Sequence, residues 1–146
     1  MNKLFLFFTA CLISQSVNAD WVKVNTINND LIMVYADTST IQGTGRHCWQ
    51  DGTRKICRQN RSKMRVLYDF KNIQKFSGIK YFSRKTQVEY NCMTEQSRTL
   101  EINDYSSSMG NGKLVNSNSK VAEWKSIIPI NVEKKLLAIV CRQMNI

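Results

Sequence analysis

From Tyr81 to Cys92 the chain reads "YFSRKTQVEYNC", and its polarity alternates residue by residue. Phe82, Val88, Tyr90 and Cys92 fall on one face together with Arg84 and Thr86, while Lys85, Gln87, Glu89 and Asn91 fall on the other. A period of two belongs to an extended strand, and apolar against charged faces belong to an antiparallel sheet with one face packed and one wet. "MRVLYDF" repeats the pattern, with Met64, Val66, Tyr68 and Phe70 opposite Arg65, Leu67 and Asp69. Further strands are expected at 21–24, 32–36, 98–105 and 113–116. Polar punctuation separates them: "NTINND", "DTSTIQGTG", where Asp37 could cap a single helical turn, and "SSSMGNGK" with its Asn-Gly.

The compartment follows from the N-terminus. "MNKLFLFFTACLISQSVNA" has a basic start at Lys3, an apolar run of about ten residues, and a small-residue site at Val17-Asn18-Ala19, the marks of a secretory signal peptide. Cleavage after Ala19 is expected, leaving a single domain of residues 20–146. A lipid-anchoring alternative would cut before Cys11, but Phe8 fits that site poorly. No later stretch is long and apolar enough to form a transmembrane segment.

Without the signal, Cys48, Cys57, Cys92 and Cys141 remain, an even number in an oxidising setting, which reads as two disulfides. Four cysteines allow three connectivities. The C-terminal "NVEKKLLAIVCRQM" sets Val132, Leu136, Ile139 and Val140 at helical spacing, with Asn131 as N-cap and Glu133 in the first turn. An amphipathic helix laid on the apolar face of the sheet follows. Cys141 then lies beside the buried stripe and Cys92 on the inner face of its strand. Joining them staples helix to sheet, worth on the order of 4 kcal/mol in chain entropy. Cys48–Cys57 is what remains, worth roughly 2–3 kcal/mol on the same basis.

Charge is concentrated. The mature chain carries twenty Lys and Arg against eleven acidic residues, and twelve of the twenty lie between Arg46 and Lys85 against only Asp51 and Asp69. Polyanionic partners are favoured by such a balance, without any signature of specific nucleic-acid recognition. Inside this region "HCWQDGTRKICRQNR" reads as a hairpin turning at Asp51-Gly52, with Cys48 and Cys57 facing across the ladder. It displays Arg46, Trp49, Arg54, Lys55, Arg58 and Arg61 as a candidate binding surface. Trp21 and Trp124 are assigned to the core or its rim.

Catalytic and metal chemistry find little here. His47 is the only histidine and adjoins Cys48, no C-x-x-C exists, and no G-x-S-x-G occurs. "SNSK" at 117–120 lacks the partner motifs of an S-x-x-K enzyme. No enzyme, metal or cofactor is expected.

The order "DWVKV", "VYADTSTI", "MRVLYDFK", "TQVEYNC", "DYSSSMGNGKLV", "EWKSIIP", "LLAIVC" resembles the surface-adhesin protein E family of Gram-negative bacteria, from Trp21 to Cys141. The resemblance implies an α+β fold: a single antiparallel sheet of about six strands with a C-terminal helix held on its concave face by a disulfide, by position Cys92–Cys141. It also implies an outer-membrane adhesin that binds host extracellular-matrix and plasma proteins and is capable of forming a homodimer. The segment from Gly45 to about Ser62 departs from that pattern as an insertion.

The functional expectation is an exported, non-catalytic binding module contacting host matrix or other acidic partners through the pinned hairpin, in the periplasm or on the outer-membrane surface. The alternative is a periplasmic envelope-maintenance protein with a bacterial partner. Both expect an intact mass beginning at Asp20 that rises by about four hydrogens on reduction. A mass beginning at Cys11 with acyl chains would overturn the cleavage assignment.

Overall fold

The computed structural model describes residues 20–129 and 131–142; the expected signal, the cleavage site after Ala19 and Cys11 lie outside them. Six strands run in a meander, each antiparallel to the next: β1 (Trp21–Ile27), β2 (Ile32–Asp51), β3 (Arg54–Phe76), β4 (Ile79–Asn91), β5 (Gln96–Tyr105) and β6 (Leu114–Asn118). A two-residue β7 (Lys125–Ser126) joins the outer edge of β5 at the end that β6 leaves open, making seven strands. One helix, α1 (Val132–Arg142), closes the chain.

The turns obey their local chemistry. Asn28, Asn29 and Asp30 all take left-handed backbone between β1 and β2, a conformation that Asn and Asp tolerate because their short side chains bond locally. Ser77 and Gly78 both have positive φ, the requirement of a two-residue hairpin turn matched to strand twist.

The alternation expected from sequence governs the core. Val34 and Ala36 on β2, Met64 and Val66 on β3, and Val88 and Tyr90 on β4 form one apolar face. Val132, Leu136, Leu137 and Val140 of α1 pack onto it, and Ile127 completes the cluster. Asn131 caps the helix: its Oδ1 accepts the Glu133 N–H at 3.0 Å. Cys92 is joined to Cys141 and Cys48 to Cys57, the pairing argued from strand face and helical stripe. The same face carries one buried charge. Asp104, 0% exposed, takes two hydrogen bonds from Arg84 (2.6 and 3.1 Å) and one from Asn116 (2.9 Å). A carboxylate removed from water is tolerable only with its lone pairs filled this way.

Three expectations are corrected. Asp37 starts no helical turn, because β2 runs on to Asp51 through a bulge. Five intervals of β2, Asp37 to Gln42, stand against two of β3, Arg65 to Lys63. Side chains replace the missing ladder bonds: the Ser39 hydroxyl donates to the Asp37 carboxylate, the Thr40 hydroxyl donates to the Asp37 carbonyl, and the Arg65 N–H donates to Thr40 Oγ1. The opposite face of the sheet is not simply wet either. A short 3₁₀ turn at Ser108–Gly110 lies over β3 and β4, where Asp69 accepts the Met109 N–H at 2.6 Å and Ser83 Oγ accepts that of Gly110 at 2.8 Å. Leu67, Asp69 and Ser83 are buried as a result. The strand expected at 113–116 is β6, which begins at Leu114 and extends to Asn118.

The Cys92–Cys141 link closes the longer loop and ties α1 to the face that it covers. Replacing both cysteines by serine is expected to cost about 4 kcal/mol, read by urea unfolding. The Cys48, Cys57 double variant is expected to cost less and mainly to raise amide exchange between Arg46 and Arg58. Equal global losses would refute this division.

Candidate functional site

β3 pairs with β4 only from Arg61 onward, with one more bond from the Cys92 N–H to the Asn60 carbonyl at 2.9 Å, and beyond Asn60 the ends of β2 and β3 pair with each other alone. They form a two-stranded arm in which every residue from Arg46 to Arg58 is exposed except half-buried Ile56. Register shifts on both sides of Gly45 mark its base, and bulges of this kind re-aim a ribbon. The Arg61 side chain lies against Gly45 and that of Gln59 against Gly43, in spaces that a Cβ would occupy.

Cys48 and Cys57 are direct partners across the arm, with Cα atoms 4.0 Å apart. This pairing sets the turn one residue later than expected. Asp51 pairs with Arg54, the loop is Gly52-Thr53, and Gly52 takes the positive φ that the first loop position of a II′-type turn gives to glycine. The spacing carried that signal, since cysteines equidistant from the turn centre it between Gly52 and Thr53.

The register divides the expected binding residues. His47–Arg58, Trp49–Ile56 and Asp51–Arg54 are cross-strand pairs on one face of the arm. On it Trp49, 38% exposed, has the Arg58 guanidinium 5.6 Å from its ring centroid and the His47 ring stacked at 6.1 Å. Arg46 pairs with Gln59 and Lys55 with Gln50, both on the disulfide face. Arg61 stays at the base. Thus Trp49, Arg54 and Arg58 come together, and the other three do not join them. His47 and Ile56 belong to the Trp49 face and were missed; only the register, two residues per step from the disulfide, would have found them.

The arm is anchored below by Glu89, which is 4% exposed. Thr44 Oγ1 donates to one of its oxygens at 2.5 Å, and Arg98 donates to the other at 2.7 Å. Arg98 in turn lies 4.5 Å from the Trp124 centroid, which keeps that half-buried indole on the rim. Burial by itself raises the Glu89 pKa. The hydrogen bonds from Thr44 and Arg98, with the charges of Arg98 and Arg61, outweigh it and hold the carboxyl below its ordinary range.

A family model described as surface-adhesin protein E matches residues 21–142. The chain belongs to the surface-adhesin protein E family. Solved structures of Haemophilus influenzae protein E share its fold. One aligns with a TM-score of 0.58 at 13% identity, covering 88% of each chain. A second crystal form aligns at 0.60 and 13% identity, covering 89% of this chain and 93% of that one. No curated protein matches the sequence. Protein E family members are surface adhesins rather than a known enzyme class. Among the described residues no helix is long and apolar enough to cross a membrane, and no group of three His, Cys, Asp or Glu side chains gathers to hold a metal ion.

Because the Glu89 pKa is depressed on folding, its contribution is present above the ordinary carboxylate range and is lost as pH falls through the depressed value. Glu89→Gln should therefore lower stability by about 2 kcal/mol at neutral pH. The gap to the parent should close at strongly acidic pH, read by urea unfolding at both. A gap independent of pH would contradict the role given to the ionised carboxylate.

Proposed function

We propose that the protein is exported with its signal removed after Ala19 and acts at the outer-membrane surface as an adhesin without catalytic chemistry. The arm is its contact with host matrix proteins or other acidic partners, and the helix occupies the concave side of the sheet, as the family resemblance implies. One observation carries this reading: a disulfide-pinned arm that clears the body of the domain and presents Trp49 beside the cross-strand pair of Arg58 and His47. A ribbon locked before binding loses little conformational freedom on binding, and Arg beside an exposed Trp is the residue pairing enriched at energetic centres of interfaces. The arm holds four basic residues and one acidic residue between Arg46 and Arg58, so its field favours negative surfaces.

The register supports a sharper expectation than charge alone. Arg54→Gln with Arg58→Gln, both on the Trp49 face, should weaken binding to an immobilised matrix preparation or to heparin about tenfold or more. Arg46→Gln with Lys55→Gln, which removes the same charge from the disulfide face, should weaken it less. Both variants leave the core untouched, so unfolding midpoints should match the parent. Unchanged binding of both variants to every matrix protein and polyanion would reject the arm as the contact. Protease added to intact cells should remove the arm if the protein is displayed outside.

A further inference from the structure

The sheet face turned away from α1 contains a second polar arrangement, which involves no residue of the arm. Asp37 on β2, Arg65 on β3, Gln87 on β4 and Glu101 on β5 are successive cross-strand partners, and so form one row across four strands. Lys85, Asn103 and Ser117 form the next row on the same face. Two adjoining depressions share Arg65 and Gln87. One is floored by Asp37, Ser39, Thr40 and Gln42; the other is lined by Lys85, Glu101, Asn103 and Tyr105. The first encloses about 420 Å³, within the size range of small-ligand sites. Ile41 is the one aliphatic side chain among its lining residues, and the polar side chains around it suit a ligand that forms hydrogen bonds.

The polar groups are positioned before any ligand arrives. Asp37 is 1% exposed and accepts the Ser39 hydroxyl at 2.5 Å, which fixes Ser39 at the cleft floor. Asn103 donates to Glu101 at 2.6 Å and accepts from Ser117 at 2.7 Å. Lys85 donates to the Gly110 carbonyl at 3.0 Å and lies 4.8 Å from the Tyr105 ring centroid, so its ammonium is held with donors to spare. Arg65 is fixed at its backbone by Thr40 and enters none of the ion pairs among the described residues. Burial, then the like charge of Arg65, lower the Lys85 pKa, so the two cations share one field, and the Asp37 charge offsets this only in part.

Two cations that repel one another across a cleft invite one anionic group. The flanking Asp37 and Glu101 would repel a dense polyanion, yet carboxylates and amides are good partners for hydroxyl groups. We propose that this cleft binds a carboxylate-bearing sugar, the acid group on Arg65 and Lys85 and the ring hydroxyls on Gln87, Glu101 and Asn103. The site is independent of the arm and stands whether or not the arm binds.

The test titrates the full exported protein with glucuronate, N-acetylneuraminate, glucose and inorganic phosphate, following backbone amides by NMR. At least one acidic sugar should shift the amides of Arg65, Lys85 and Gln87 saturably. Glucose and phosphate should bind about tenfold or more weakly, each lacking one half of the recognition. Arg65→Gln, an exposed change that spares the fold, should cost a similar factor, as should Lys85→Gln, while Arg54→Gln with Arg58→Gln should change nothing. Absence of saturable shifts with both acidic sugars, phosphate binding as well as either sugar, or full binding by Arg65→Gln would each overturn the proposal.

Discussion

The structure rests on covering one apolar sheet face. Val34, Ala36, Met64, Val66, Val88 and Tyr90 come from three strands and form a surface that water would penalise at roughly 25 cal/mol per Å². An eleven-residue helix is the principal cover, and a helix of that length is marginal by itself in water. The interaction is therefore reciprocal. The sheet face makes the helix stable, and the helix makes the face permissible. The Cys92–Cys141 bond sets where the two meet, by tying the helix end to the last inward-facing position after β4.

Once that face is closed, polar groups are free to organise the rest. Asp104 and Arg84 sit at its margin with Asn116, and Glu89 gathers Thr44 and Arg98 on the opposite face. Asp69 and Ser83 hold down the 3₁₀ turn, with Met109 in left-handed backbone. Each of these carboxylates is buried and each accepts a hydrogen bond. A sheet meander has few layers with which to build rigidity, and in this one charge-assisted hydrogen bonds supply a share of it.

The rigid body gives the arm its character. β2 and β3 continue past the sheet as a ribbon whose only covalent tie is Cys48–Cys57 and whose base is pinned through Thr44. Isolated two-stranded ribbons are barely stable in water, so the disulfide is what allows an exposed Trp49 and its neighbouring cations to hold one geometry. The family to which the chain belongs is described as surface-adhesin protein E.

Much of this was legible in the chain. The alternation at 81–92 and 64–70, the helical spacing of Val132, Leu136 and Val140 and the two cysteine pairings all follow from periods that the backbone imposes locally. What the sequence could not state was register. The bulges at Asp37–Gln42 and around Gly45 are set by which side chains find partners across the sheet, and each extra residue moves every later side chain to the opposite face. So the sequence by itself determined where the six meander strands lie, the helix, the disulfides and the basic middle of the chain, but not β7 or the full run of β2. Only the tertiary structure decided that Arg54 and Arg58 share Trp49's face while Arg46 and Lys55 do not, and that Asp37, Arg65, Gln87 and Glu101 form one row. Those neighbours are set by strand pairing, and the propensity of an isolated segment does not encode its partner strand.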